Sequence, residues 1–342
     1  MDLYLFRLHF RGPVRFGATG IGLEGSNLTL PSDGLTSAFL NALVESSGSK
    51  AVSAFIEECK QQQPPVVFSN LFPFGPNPEN QFQSIEVLPR PFCAPPGQDE
   101  VLRLLGKELK KLSWLCPQDA AAWLQTSPLS HQSLKNLVRG SQGLGRQKEM
   151  VADNGWYKEE LRPRVALDRK DQGSSLWACA AIRFTSRAGL YGLVRLRGDF
   201  MGTWLQAMHL LGDIGLGGER TYGYGEFEME GPLPLGSSWE PLLKLPAGRY
   251  LLLSSYYPSL SERAFLPDAL EAWELEERQG YVVSGRQTTT LKRKRVRFLS
   301  AGSVLKKPLQ GALADVTPDD HLSLGLPHRV YRFGFALTMP LS

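Results

Sequence analysis

The densest chemistry in this chain lies in Gly212-Asp213-Ile214-Gly215-Leu216-Gly217-Gly218-Glu219-Arg220-Thr221-Tyr222-Gly223-Tyr224-Gly225-Glu226-Phe227. Glycines at that density let a backbone take φ > 0 and approach another backbone closely. Arg220 offers a planar fork for phosphate, and Tyr222 and Tyr224 offer flat faces on which bases can stack. Together they suit a phosphate-bearing, single-stranded ligand. A phosphate-binding P-loop is excluded, because no lysine follows the glycines and the order is helix, loop, strand rather than strand, loop, helix. A dinucleotide fingerprint fails for the same reason. The second Gly-x-Gly, Gly143-Leu144-Gly145-Arg146, leads from no clear strand into no clear helix and carries little.

Catalytic constellations are sparse. The histidines are His9, His131, His209, His321 and His328. His209, just before the glycines, is the best placed to act as general acid or base on RNA, against the plainer reading of a helix-surface histidine. Asp33 follows Ser32 at a helix start, where an acidic side chain accepts backbone N–H bonds. Glu226, Glu228 and Glu230 alternate along a strand face and have no clustered partners that would complete a metal site, so no metal and no cofactor are expected. Charge is better organised for phosphate. Net charge is only +4, but Lys292-Arg293-Lys294-Arg295-Val296-Arg297 is a dense basic block, and Arg162-Pro163-Arg164 with Asp168-Arg169-Lys170 is another.

These groups need a scaffold, and 342 residues suffice for about two domains. The composition, 42% hydrophobic and 21% charged, is that of a globular chain. No apolar run approaches the roughly 20 residues of a membrane span, and no signal-peptide segment opens the sequence. Cys59, Cys93, Cys116 and Cys179 form no Cys-x-x-Cys pair, which fits a reducing cytoplasm. The alternation in Asp2–Arg11 predicts a strand whose polar face carries Arg7, His9 and Arg11. A helix starts at Pro31-Ser32-Asp33 with Leu35, Phe39, Leu40 and Leu43 on one face, and a second strand runs from Val66 to Phe72, ended by Pro73-Phe74-Gly75-Pro76. From Pro89 to about Glu160 the pattern is irregular, with short helices around Val101–Lys111 and Gln118–Leu124, and reads as an insertion. Leu176–Phe184 and Gly189–Leu196 read as a hairpin pair, followed by a helix from Phe200 to Leu211, the Gly-rich loop and a strand from Tyr224.

The resulting order, strand-helix-strand twice, is the split βαβ or ferredoxin-like arrangement. Gly231–Ser238 has the composition of a linker. Beyond it, Gly248–Tyr257, a strand pair over Trp273–Val283, Val296–Leu299, Val304-Leu305 and His328–Leu337 predict a mostly β unit with one helix, Pro267–Trp273.

Several of these pieces, in this order along essentially the whole chain, resemble the RAMP superfamily of CRISPR RNA-binding proteins, within it the fourth Csm subunit of type III-A effector complexes. The residues that carry the likeness are Leu30–Phe39, Arg162-Pro163-Arg164-Val165 with Asp168-Arg169, and Gly215–Gly225. Arg286 with the basic run, Ala301-Gly302-Ser303-Val304, and His328–Gly334 complete the set. Gly34 departs from the pattern, which commonly has threonine after Ser-Asp.

The resemblance implies an α+β chain of two ferredoxin-like (RRM-like) RAMP domains in tandem, the second degenerate. The first would span 1–231, with an insertion at about 75–160 and a thumb at about 165–175; 232–247 would be the linker and 248–342 the second domain. It further implies a non-catalytic subunit that binds the 5′ handle of the CRISPR RNA. The subunit would join the large polymerase/nuclease subunit to an adjacent backbone RAMP subunit, meet target RNA only indirectly, and serve antiviral defence with no membrane contact. The RNA-contacting positions expected on the first domain are Arg11, Arg15, Ser32, Asp33 and Ser37, then Arg162 and Arg164 just before the thumb and Asp168 and Arg169 in it, and the loop residues Gly215, Gly217, Gly218, Glu219, Arg220, Tyr222, Gly223 and Gly225. On the second they are Gly285, Arg286, Lys292, Arg293, Lys294, Arg295, Gly302 and Ser303. The alternatives are a RAMP-type endoribonuclease that processes precursor CRISPR RNA, the equivalent cap subunit of another type III complex, and a scaffold without RNA contact.

Overall fold

The computed structural model describes residues 1–17, 24–77, 80, 82–141, 144, 155–167, 174–246, 248–282, 291–319, 321–322, 325–326 and 328–340. Its principal sheet is antiparallel, in the order Phe227–Leu233, Asp2–Phe10, Gly189–Leu196, Phe72–Pro76, Ser84–Glu86, with Val66–Phe68 also paired to Gly189–Leu196. Period-2 alternation in the opening strand sends Phe6 toward the helices, where it meets Trp204 edge-on with ring centroids 5.8 Å apart. Helices Ser32–Lys60 and Met201–Ile214 pack on each other over that face. The first turns of the long helix bury Leu35, Phe39, Leu40 and Leu43 as the helical spacing requires, and it breaks at Gly48, whose φ of 79° is not helical.

The predicted strand from Val66 to Phe72 is two strands. Ser69 and Asn70 interrupt it because their side chains take over backbone partners: the Leu193 amide donates to Ser69 Oγ at 2.8 Å and the Ser32 amide to Asn70 Oδ1 at 2.8 Å. Pro73-Phe74-Gly75-Pro76, expected to end a strand, forms the next one. Leu176–Phe184 does not pair with Gly189–Leu196, since both edges of the latter are already taken by Asp2–Phe10 and by Val66–Phe68 with Phe72–Pro76. It pairs instead with an unpredicted strand, giving a long two-stranded ribbon of Tyr157–Leu167 and Ser174–Phe184. The insertion holds the two expected helices, at Asp99–Lys111 and Pro117–Leu124, and a third at His131–Ser141.

In the second unit, Leu270–Ala272, Val304–Leu305, Tyr250–Leu252 and Thr338–Met339 form a sheet in that order, and Gly311–Asp315 pairs with Tyr331–Phe335. Two expectations fail there. The predicted helix shrinks to Leu266–Ala269 and becomes a strand at Leu270. The strand pair over Trp273–Val283 does not pair with itself: Leu275–Arg278 binds Val296–Leu299, and Tyr281–Val282 binds Leu291–Lys292. The segment read as a linker is folded, with a helical turn at Glu240–Leu243 and with Trp239 buried edge-on against Tyr191 at 6.1 Å. The two units share one apolar core, in which Phe55 of the long helix meets Phe333 at 6.0 Å.

Candidate nucleic-acid interface

The Gly-rich loop is held by its own protein. Gly215, Gly217, Gly223 and Gly225 all have positive φ, as does Glu219 at 61°. The Gly218 amide donates to the Arg15 carbonyl, the Leu216 amide to the Gly225 carbonyl and the Gly225 amide to the Pro13 carbonyl, each at 2.9 Å. A Cβ on Gly217 would lie 2.4 Å from the Arg15 oxygen, and one on Gly225 2.1 Å from the Leu216 oxygen. Close backbone approach, expected to serve a ligand, is spent inside the chain at these two positions. Arg15 itself is buried. What the loop offers outward is Arg220 and Tyr222, the latter 65% exposed. Among the described residues Arg220 has no ion-pair partner.

The ribbon leans on this loop through its arginines. Arg162 and Arg164 lie two residues apart and therefore share one ribbon face. The Arg164 guanidinium lies 3.9 Å from the Tyr222 ring centroid and 3.4 Å from Glu219, and Arg162 stands 5.5 Å from the Tyr224 centroid. One face of Tyr222 is thus covered by a cation, a geometry that stabilises both groups and orients the ring. Beneath them Glu160 pairs with Arg183 at 2.7 Å, Arg162 at 2.8 Å and Lys158 at 3.0 Å. Burial pushes its carboxyl up, but the hydrogen bonds from Arg183, Lys158 and Arg162 outweigh burial and hold its pKa at about 2. The opposite ribbon face exposes Leu161, Val165 and Leu176, with Val165 directly across from Leu176. Sequence reasoning missed this apolar face because Tyr157–Leu161 was absorbed into the irregular insertion; its alternation with Arg162 and Arg164 was the available signal.

The sheet face is electrically spent. Arg7 pairs with Glu86 and Glu230, His9 with Glu230 at 3.2 Å, and Arg11 with Glu228 at 3.1 Å. The alternating glutamates, read as a solvated or partner-facing edge, are cross-strand counter-ions to the basic ladder of the opening strand.

Other predicted contacts serve internal tasks. Ser32 is buried and its hydroxyl accepts from the Ser255 amide at 2.9 Å. Asp33, 1% exposed, makes no capping bond; its carboxylate pairs with Arg332 and stands 3.7 Å from Arg278, both from the second unit. Ser37 donates to the Asp33 carbonyl at 2.8 Å. A Cβ at Gly34 would meet only the flexible end of Leu30, 3.2 Å away, so the departure there changes little in the backbone. Gly302, at φ 100°, accepts from the Phe92 amide at 3.0 Å and so ties the insertion to the second unit. Ser303 is fully buried and donates to the Ser300 carbonyl at 2.7 Å.

The basic run is not one continuous strand, because residues 293–295 interrupt it. Arg295 and Arg297 remain together, both on Glu277 at 3.3 and 3.6 Å. Arg293 leaves that face; burial beside Arg332 holds its pKa below the usual guanidinium range. Lys294 pairs with Asp319 at 2.5 Å, and Lys292 is exposed. Asp168, Arg169, Gly285 and Arg286 lie outside the described residues. His209 is exposed on its helix, and among the described residues it has no hydrogen-bond or ion partner. No group of three or more metal-ligating side chains is found among the described residues. Nor, among them, is any helix long and apolar enough to cross a membrane.

Comparison with known proteins follows the same outline. Residues 246–341 match the CRISPR Csm4 C-terminal domain family. The chain is 33% identical over 181 residues to the CRISPR system Cms protein Csm4 of Thermococcus onnurineus, a match spanning 52% of each, so about half of that relative's length. It is 27% identical over 349 residues to the Csm4 protein of Mycobacterium tuberculosis strain H37Rv, covering 100% of this chain and 98% of the relative. Among solved structures, it is similar to a chain of a Csm3-Csm4 subcomplex from a type III-A CRISPR-Cas interference complex, with a TM-score of 0.58, 17% identity and full coverage of both. A chain of a Csm1-Csm4 cassette in complex with pppApA gives a TM-score of 0.56 at 19% identity, over 100% of this chain and 98% of that one. At such identities these two likenesses speak to the mixed α+β fold alone.

Proposed function

From a chain that carries a Csm4 C-terminal domain and resembles Csm4 proteins along its length, we propose a Csm4-type subunit of a type III-A CRISPR defence complex that holds guide RNA and performs no cleavage itself. The observation that carries this reading is the joint between ribbon and Gly-rich loop. Arg164 occupies one face of Tyr222 while the ring stays largely exposed, and Arg220, two residues earlier in the same turn, has no counter-ion among the described residues. A pre-oriented aromatic beside a free cation suits one unstacked base and its phosphate. The neutralised sheet face argues that RNA runs over the loop and the ribbon rather than across the strands. The exposed Leu161, Val165 and Leu176 then give the ribbon an apolar edge able to enter between bases.

In this reading the RNA is the 5′ handle of the CRISPR RNA, and the working compartment is the cytoplasm. The two units are tandem ferredoxin-like domains: the first sheet's order supports this directly, and the second is a reduced version. The solved relatives sit in complexes with Csm1 and with Csm3, and we assign equivalent neighbours, a large subunit and a backbone subunit, to this chain.

Tyr222→Ala will weaken binding of a handle oligonucleotide roughly 5- to 150-fold, the range that loss of one base–aromatic stack produces. Arg220→Gln will lower the slope of log affinity against log salt by about 0.7. Filter binding at four salt concentrations checks both, and wild-type affinity and slope in folded variants would refute the assignment.

The absence of cleavage has its own check. His9 is tied to Glu230, and His209 lacks a partner among the described residues to set its ring as acid or base. His9→Ala and His209→Ala are expected to leave cutting of precursor and target RNA by the assembled complex within about twofold. A loss on the order of 100-fold with assembly intact would make this subunit a nuclease.

A further inference from the structure

At the far end of the neutralised sheet face one cation has no acid. Arg195 stands opposite Leu3 in the register of Gly189–Leu196 with Asp2–Phe10, so it shares a face with Arg7 and His9, away from Phe6 and the helices. Those two are held by Glu86 and Glu230, whereas no carboxylate approaches Arg195 among the described residues. Its fork is half used. Nη2 donates to the Ala336 carbonyl at 3.2 Å, Nε is buried with no partner, and Nη1, which is not buried, makes no hydrogen bond. Burial without a counter-ion holds its pKa below the usual guanidinium range. A guanidinium drawn this far from water gains more from an anion than an exposed one does.

Arg195 lines a cleft of about 350 Å³ where the two units meet. Its apolar walls are Val67 and Pro64 of the first unit and Phe335 of the second, all three buried. Gln62 and Gln63 also line it, and their side-chain amides make no hydrogen bond among the described residues. Gln62, at φ 59°, turns the chain out of the long helix, and its carbonyl accepts from Gln310 Nε2 at 2.5 Å, so a contact between the units bounds the cleft. The Gly-rich loop is elsewhere. Leu3 lies roughly 23 Å along the opening strand from Phe10, and the loop is anchored beyond that end, at Pro13 and Arg15.

We infer that this cleft binds one carboxylate carried on a small apolar body, with the carboxylate on Nη1 of Arg195 and the body against Val67, Phe335 and Pro64. Charge selects the head group. One guanidinium neutralises one carboxylate, whereas a phosphate monoester carries about −1.5 to −2 at neutral pH and would leave an uncompensated charge between apolar walls. The walls select the body, because a bare inorganic ion would leave them facing water. The volume lies within the roughly 300–1,000 Å³ of small-molecule sites. Such a carboxylate comes from a free acid or from the C-terminus of another polypeptide.

The test is calorimetric titration of the full chain with 3-phenylpropionate, expected to bind with a dissociation constant of roughly 1 mM. Its neutral amide and inorganic phosphate should each bind at least about tenfold more weakly. Arg195→Ala should weaken the carboxylate roughly 10- to 150-fold, the range for losing a hydrogen bond to a charged group. Gln63→Glu, an exposed change that leaves the core untouched, puts a competing acid on the cleft and should weaken it at least about threefold. Acetyl-Ala-Phe with a free C-terminus separates the sources: tighter binding than 3-phenylpropionate assigns the site to a chain terminus, weaker binding to a free acid. Equal affinity for acid and amide, or no binding of either carboxylate, overturns the proposal. So does unchanged affinity in folded Arg195→Ala and Gln63→Glu chains. Displacement of 3-phenylpropionate by a handle oligonucleotide would overturn it as well, since the cleft would then belong to the RNA path.

Discussion

Arg332→Ala will destabilise the protein by about 3–5 kcal/mol, the cost of stranding a buried charge by removing its partner. That charge is Asp33, which sits 1% exposed in the first turn of the long helix. Arg332 comes from the far end of the chain, gives one amine of its fork to that carboxylate and the other to the Gln279 carbonyl at 3.1 Å. Only Arg278, at 3.7 Å, would remain near Asp33. Thermal unfolding should fall by on the order of 10 °C. Asp33→Ala should cost a similar amount, because Arg332 and the half-buried Arg293 would then repel each other without an acid between them. The double variant should be clearly more stable than the sum of the two losses implies, with a coupling of about 0.5–3 kcal/mol. Arg332→Lys should recover only part of the loss, since an ammonium cannot reach the carboxylate and the carbonyl in one plane. Additive effects below about 1 kcal/mol each, measured by calorimetry, would mean the pair does not join the two units.

The second large effect separates glycines that look alike in the sequence. Gly225→Ala and Gly217→Ala will each disrupt the loop, whereas Gly218→Ala will be nearly silent. Gly225 has φ 81° and Gly217 φ 95°, a region that costs a non-glycine residue about 1–3 kcal/mol before any contact is counted. Their added methyls would sit 2.1 and 2.4 Å from backbone oxygens, which cannot move without breaking the bonds that anchor the loop to Pro13 and Arg15. At Gly218 φ is not positive, and the nearest atom to a new methyl is 3.6 Å away, on the Arg15 side chain. Handle affinity should fall at least about tenfold in the first two variants, because Arg220 and Tyr222 lose their platform, and should change less than about twofold in the third. Hydrogen exchange at Leu216, Gly218 and Gly225 would report the loop directly. Equal affinities in all three would show that the loop's shape does not matter to RNA.

This division changes the meaning of the motif. The glycine spacing suggested glycines bared to a ligand. The structure turns Gly217 and Gly225 toward the chain itself and leaves Arg220 and Tyr222 outward. Arg162 and Arg164 similarly read as free phosphate binders and prove to be half-engaged, one over Tyr224, the other over Tyr222 and beside Glu219.

What the amino-acid sequence determined by itself was local. Alternation placed the opening strand, helical spacing placed Leu35, Phe39, Leu40 and Leu43 in the core, and the glycines marked the turn after Met201–Ile214, because each depends on neighbours within a few residues. The combination of short motifs along the chain also pointed to the Csm4 proteins to which the comparisons find it similar. Pairing was another matter. Leu176–Phe184 read as the partner of Gly189–Leu196, and it pairs with Tyr157–Leu167 instead because the edges of Gly189–Leu196 are already filled. Whether a charge was free was equally undecidable in one dimension. Asp33 meets Arg332 across 299 residues of chain, Arg11 meets Glu228 across 217, and Arg220 meets no acid among the described residues. Coulomb attraction and desolvation act on distance in space, so only the folded chain decides which cations are consumed in holding it together and which remain for a ligand.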